Sequence, residues 1–275
     1  MMTGLTATLS GGAVLHRPAL RPRGRPIVTF ELLIAAAWIL VLWWTVAGAG
    51  SSGPAVPSTG ATAPMPSMPG MAAMPGMTAA APGSAAHAAV LGLPMWVVMA
   101  VAMMLPGALP ALVHVSTHSF RRRRGRAMTG FALVYIGVWT MFGAVALALT
   151  AVIHVAAELE VGLALALAAA WQLTVLKRHA LRDCHLSVRL PPRGWAAHAG
   201  VVRFGLVNAG ACVRSCWPVM LTMALVPGSQ MWLWMPALSG LVWAERFARR
   251  PRRATRTVAA ALTVAAVAVL AVALV

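Results

Sequence analysis

The sequence predicts an all-α protein: a polytopic membrane helix bundle of about seven transmembrane helices with its N-terminus inside. Three observations carry this expectation. The chain is 60% hydrophobic and only 10% charged, where a soluble domain carries about 25% charged residues. Apolar runs long enough to span a bilayer recur along it. The basic residues fall in short clusters between alternate runs. Of the 22 Lys and Arg, all but Arg214 lie in the head or in segments 114–128, 177–203 and 246–256, while segments 48–89, 153–160 and 227–230 hold none. Under the positive-inside rule this alternation fixes the orientation. The net charge of +17 is therefore a topology signal toward the lipid bilayer, and no nucleic-acid partner is expected. Three cysteines, an odd number, give no disulfide framework.

Residues 1–29 read as a basic cytoplasmic head with Arg17, Arg21, Arg23 and Arg25. Residues 30–47 form the first transmembrane helix or a signal peptide, since Ala47-Gly48-Ala49 matches the small-residue pattern of a cleavage site; cleavage would leave six spans. Residues 48–89 are an extracytoplasmic linker of Gly, Ala, Pro, Ser and Met that cannot build a core. Within it Met65, Met68, Met71, Met74 and Met77 stand at every third position. Pro and Gly keep such a chain open, so the thioethers can capture a soft ion. A plain spacer is the other reading.

Residues 90–256 form the core membrane domain. Its first helix, over 89–113, carries Met95, Met99 and Met103 at intervals of four. Pro106 and Pro110 follow, and each frees a carbonyl four residues back, at Ala102 and Pro106. Such breaks survive in membrane helices where neighbours satisfy the freed groups. His118 precedes the Arg121–Arg124 cluster. The next helix, 129–152, has Gly137 and Gly143 as close-packing points, and another covers 161–176. Residues 177–203 read as a basic loop holding Cys184. The helix over 205–226 contains Cys212, Arg214, Cys216, Pro218, Met220 and Met223. Residues 231–247 form a further helix with Trp232, Trp234 and Trp243 as interface anchors and Glu245 at its end. Residues 257–275 form a C-terminal transmembrane helix.

The 205–226 helix is the chemical centre of the sequence. At about 100° per residue, Cys212, Cys216, Met220 and Met223 share one face. Thiolates and thioethers are the soft ligands that select Cu(I). The same residues are also ordinary fillers of a small-residue helix interface, and spacing alone does not separate the two. Arg214 points away from the cysteines on an unbroken helix. A charge at the centre of a membrane helix costs about 2.5–3.5 kcal/mol, so Arg214 is either a snorkelling side chain or a functional cation, with Glu245 a candidate acid. Pro218 frees the carbonyl of Arg214. Cys184 and His118 are candidate inner-side ligands.

Trp96-x-x-Met99-x-x-Ala102-Met-Met-Leu-Pro106, Leu176-Lys177 leading to a cysteine, Cys212-x-x-x-Cys216-Trp217-x-x-Met220, Trp234-Met235 and Glu245 together resemble the predicted metal-binding integral membrane proteins, a bacterial family. The resemblance covers about residues 94–250. It implies a metal site and residence in the bacterial cytoplasmic (inner) membrane. Arg214 and Ser215 stand where the family has Gly and the first Cys of a Gly-Cys-Cys-Trp run. Ala180 stands where its loop has a first cysteine. The sulfur set here is correspondingly smaller.

No Ser-His-Asp order, phosphate loop or paired intramembrane carboxylate occurs, and five acidic residues leave few groups for acid–base catalysis. The chain reads as no enzyme. Three functions remain open: binding or handling of a soft metal ion, most naturally Cu(I); a non-catalytic accessory or assembly subunit for a membrane-protein partner; and a small-solute transporter in which Arg214 meets an anion. The topology has a direct check. Reporters fused after Gly83 and Val275 should read outside, and reporters after Arg126 and Arg193 inside; one inverted reporter overturns the seven-span reading.

Overall fold

Uncharged runs of Ala, Leu, Val and Met favour helices, because in an apolar medium the helix satisfies every backbone hydrogen bond within the segment. The computed structural model describes residues 25–50, 82–150, 157–185, 188, 190, 191, 194–227, 230–248 and 250–274. Among these residues the fold is all-helical: α1 (Arg25–Gly50), α2 (Pro82–Thr117), α3 (Arg124–Thr150), α4 (Ala157–Gln172), α5 (Val175–Asp183), α6 (Gly194–Leu225), α7 (Met231–Phe247) and α8 (Pro251–Ala273). Five of these, α1, α2, α3, α6 and α8, are long and apolar enough to cross a membrane. The α4–α5 pair makes six if it counts as one span broken by a 75° bend. α7, with 17 residues, is about 26 Å long, slightly shorter than the roughly 30 Å of a hydrocarbon core. The five linker methionines lie outside the described residues.

α3 packs between α2 and α6, α4 between α6 and α8, and α1 against α2. α7 closes the bundle by touching α8, α6, α2 and α1. Its approach to α2 and α6 is sparse at the backbone level, and Trp243 and Arg246 reach across to those helices. Met103, Met104, Met220, Met223 and Met235 are all fully buried. α8 runs along α4, where Leu270 Cδ2 lies 2.5 Å from the point a Cβ on Gly162 would take.

The prolines explain how the bundle is tied. Pro106 removes the amide that would bond the Ala102 carbonyl, and that carbonyl accepts a hydrogen bond from Trp38 Nε1 of α1 at 3.0 Å. Pro218 does the same to Arg214, whose carbonyl accepts from Trp171 Nε1 of α4 at 3.1 Å. One residue along α2, Met103 O accepts from Trp243 Nε1 of α7 at 2.8 Å. Trp38 and Trp243 meet edge to face with centroids 6.0 Å apart. Trp243, expected to anchor a membrane interface, is thus a clamp between α7 and α2.

The expected basic loop over 177–203 is largely helical, and this corrects the sequence reading. Thr174 caps α5 by accepting from the Lys177 amide at 3.2 Å. Lys177, Ala180, Leu181 and Cys184 are its buried residues, spaced as one helical stripe. Its charged residues hid that stripe. α6 begins at Gly194, which has φ +71°, the left-handed region that glycine adopts without strain. α6 then runs eleven residues before the expected start at 205.

α2 and α3 meet through Trp96, whose Nε1 donates to Trp139 O at 2.9 Å. The indole lies over Gly143, and a Cβ on that glycine would fall inside the ring. Gly137, the other expected packing point, faces open space. Gly143→Ala should therefore expel Trp96 and destabilise the protein by about 1–3 kcal/mol as an overpacking change, while Gly137→Ala should be neutral or slightly stabilising through helix propensity. Thermal unfolding in detergent distinguishes them; equal midpoints would disprove the Trp96–Gly143 packing.

Candidate metal centre

Small residues on α6 let neighbouring helices approach, so Asn208, Ala211, Cys212, Ser215, Cys216, Val219, Met220 and Met223 are all buried. Cys212 and Cys216 lie one turn apart. Ser215 sits between them: its hydroxyl donates to Cys212 O at 2.8 Å and lies 3.3 Å from Cys216 Sγ. Cys184 is brought in from the other side. It caps α5 at its C-terminus, its carbonyl accepts from Asn208 Nδ2 at 3.2 Å, and its thiol lies 4.0 Å from Ser215 Oγ. The three cysteines of the chain are free and buried, and Ser215 contacts all three, through Cys212 O, Cys216 Sγ and Cys184 Sγ.

Two donors converge on the Cys212 sulfur. Tyr135 of α3 donates its hydroxyl to Sγ at 3.0 Å and lies 3.2 Å from Met104 O. Arg246 of α7 donates Nη1 to the same sulfur at 3.1 Å. Both are buried. Gly107 of α2 makes the Arg246 path: a Cβ there would lie 2.8 Å from Arg246 Cδ and 3.0 Å from Nε. A guanidinium donating to sulfur, beside a phenol donating to it, suits a thiolate, because charge-assisted hydrogen bonds are the strong ones.

Beside this cluster lies a buried ion pair. Lys177 Nζ of α5 donates to Glu245 Oε2 of α7 at 2.7 Å, with side chains 1% and 2% exposed. Gln172 at the end of α4 is buried with them. The adjacent residues Glu245 and Arg246 therefore serve different partners. Glu245 holds the α4–α5 corner and Arg246 reaches the thiols.

The sequence-derived candidates divide accordingly. Cys212, Cys216 and Cys184 come together. Met99, Met103, Met220 and Met223 are buried in the same hydrophobic core. Pro218 is buried, with its released carbonyl taken by Trp171. Arg214 does not face the thiols. Its side chain is 62% exposed and pairs with Asp183 at 3.2 Å, and its Nε donates to Gly210 O. Glu245 partners Lys177 and not Arg214. His118 is exposed, stacked on His114 with centroids 4.1 Å apart, and its Nδ1 lies 2.9 Å from His114 O.

Sequence reasoning missed Arg246, Tyr135, Lys177, Gly107 and Ser215. Arg246 and Lys177 border basic clusters and so read as loop charges. The available signal was position. Arg246 falls in the last turn of an apolar helix, and Lys177 falls on the Ala180–Leu181–Cys184 stripe.

A soft ion would meet thiols here, and the donor chemistry fits a monovalent one. Among the described residues no three His, Cys, Asp or Glu side chains are placed to hold a metal together. A two-coordinate ion needs only a pair such as Cys212 and Cys216.

Fold and site define an all-helical bundle with a buried, sulfur-rich centre. The chain belongs to the family whose model is described as PpoB2, copper chaperone, which matches residues 93–269. That span covers every residue of the cluster. No curated protein and no solved structure matches the chain.

The ion pair yields a stability test. Lys177→Met should destabilise the protein by about 3–5 kcal/mol, because it leaves Glu245 buried and unpaired. Lys177→Met/Glu245→Met should recover most of that loss. A double variant as unstable as the sum of the singles, measured by thermal unfolding, would show that the pair carries no coupling.

Proposed function

We propose that this protein is a membrane-embedded Cu(I) chaperone, not an enzyme, in which Cys212 and Cys216 hold the ion and Cys184 and nearby methionines help pass it. One observation carries the reading: Cys212, Cys216 and Cys184 all border Ser215 in the interior of a chain whose family is described as copper chaperones. Cu(I) accepts two soft ligands and tolerates a third, so an ion can move between overlapping thiol pairs without ever being bare. Metal displaces the thiol protons, so binding couples to proton release.

The remaining parts fit this reading. The hydropathy of the long helices supports a multi-pass protein, with the bacterial inner membrane as its site. α1 packs its Phe30 and Val41 into the core and donates Trp38 Nε1 to α2, which supports a retained helix over a cleaved signal. The Met65–Met77 segment on the outer side would collect the soft ion. The solute-transporter alternative rested on Arg214, which lies on the outer face paired with Asp183.

Purified protein in detergent should bind one Cu(I), or Ag(I) as its stable substitute, per chain. Cys212→Ser and Cys216→Ser should each abolish that stoichiometric binding while retaining the fold. Met141→Leu, at a site 73% exposed, is the control and should bind normally. Full binding by both serine variants would make the sulfurs packing and favour the accessory-subunit alternative.

A further inference from the structure

The Cu(I) reading accounts for the thiols but not for a buried guanidinium among them. Arg246 is 7% exposed, its Nη1 lies 3.1 Å from Cys212 Sγ, and Gly107 is open for its side chain. The other buried cation near the cluster, Lys177, is balanced by Glu245 at 2.7 Å. Asp183 is paired with Arg214 on the outer surface. The positive charge that the cluster meets directly is thus that of Arg246.

We propose that Arg246 is a specificity-determining counter-charge that sets the valence of the ion the site accepts. The inference rests on the Cu(I) reading and goes one step past it. Two thiolates and one monovalent ion make a complex of charge −1. An isolated anion is strongly disfavoured in an apolar interior, and Arg246 brings the total to zero. The same two thiolates with a divalent ion are already neutral, and Arg246 would leave that complex at +1. Arg246 therefore favours Cu(I) and Ag(I) over a divalent ion of the same soft, two-coordinate habit. It does so by charge, where the sulfurs alone discriminate only by softness. Tyr135, neutral and donating to the same sulfur at 3.0 Å, supports a thiolate without altering this balance.

The test compares Ag(I) with Hg(II). Both are soft and both accept two thiolates in line, but they differ by one charge. All three cysteines of the chain lie in the cluster, and a competing small thiol outbids the thioethers of the Met65–Met77 segment, so metal retained against it reports on this site. Wild type, Arg246→Gln and Arg246→Lys, purified as full chains in detergent, are loaded with each ion against a competing small thiol, and bound metal is counted by mass spectrometry. Arg246→Gln should weaken Ag(I) by about 100-fold, the scale of leaving a buried charge uncompensated, while Hg(II) is held as well as or better than in wild type. Arg246→Lys, which keeps the charge, should recover most of the Ag(I) affinity. Parallel loss of both ions in Arg246→Gln would reduce Arg246 to a structural support. Unchanged Ag(I) binding would overturn the counter-charge outright. Should the Gln variant fail to fold, Gly107→Ala, whose Cβ would crowd Arg246 away from its path, takes its place: an Ag(I)-to-Hg(II) binding ratio equal to that of wild type refutes the proposal. Failure of wild type to bind either ion refutes the Cu(I) reading itself and is distinct from all of these.

Discussion

A polar group buried in this bundle has only the protein to pair with, and that constraint organises the rest. Two of the carbonyls that prolines release are each closed by an indole. Ala102 O, released by Pro106, goes to Trp38, and Arg214 O, released by Pro218, goes to Trp171. Tryptophan suits the task because its ring is apolar and its single N–H is a donor only. It can cross a helix interface and satisfy a carbonyl without bringing an acceptor that needs a partner of its own. The charged groups follow the same rule: Lys177 with Glu245, Arg246 with Cys212.

How much of this was legible depended on whether a residue's role is local. Helix type follows from apolar runs, which mark every helix but α5, and α7 begins and ends where its pattern says. The proline-freed carbonyls at 102 and 214 were also readable, since they follow from the proline ring itself. Their acceptance of Trp38 and Trp171 was not, because those partners lie 64 and 43 residues away in the chain. The face shared by Cys212 and Cys216 came from the helix period. The arrival of Cys184 did not, because it depends on α5 being a helix, and Arg178, Arg182 and Asp183 mask the four buried positions of that stripe.

The misplaced arginine has the same origin. Arg214 is conspicuous because it interrupts an apolar run, yet its neighbour in space is Asp183 on the outside of the bundle. Arg246 is inconspicuous because it adjoins the basic cluster at 249–253. A positive-inside tally weighs the two as loop and anomaly, and the fold reverses them. Sequence marks a charge by its neighbours along the chain, whereas function follows the depth its side chain reaches. Gly107 sets that depth from a different helix.

Glu245 and Arg246 then place two roles on one turn of α7. Successive helical residues point about 100° apart, so one side chain faces the α4–α5 corner and the other faces α6. The corner bends by 75° and carries Cys184 at its far end. The Lys177–Glu245 pair therefore ties the element that ends in the third thiol to the element that carries the guanidinium. The two sulfurs on α6 belong to one continuous helix, while the third sulfur comes from the end of short α5 and the guanidinium from α7. The cluster is therefore assembled from three separate elements, and no one of them fixes it alone.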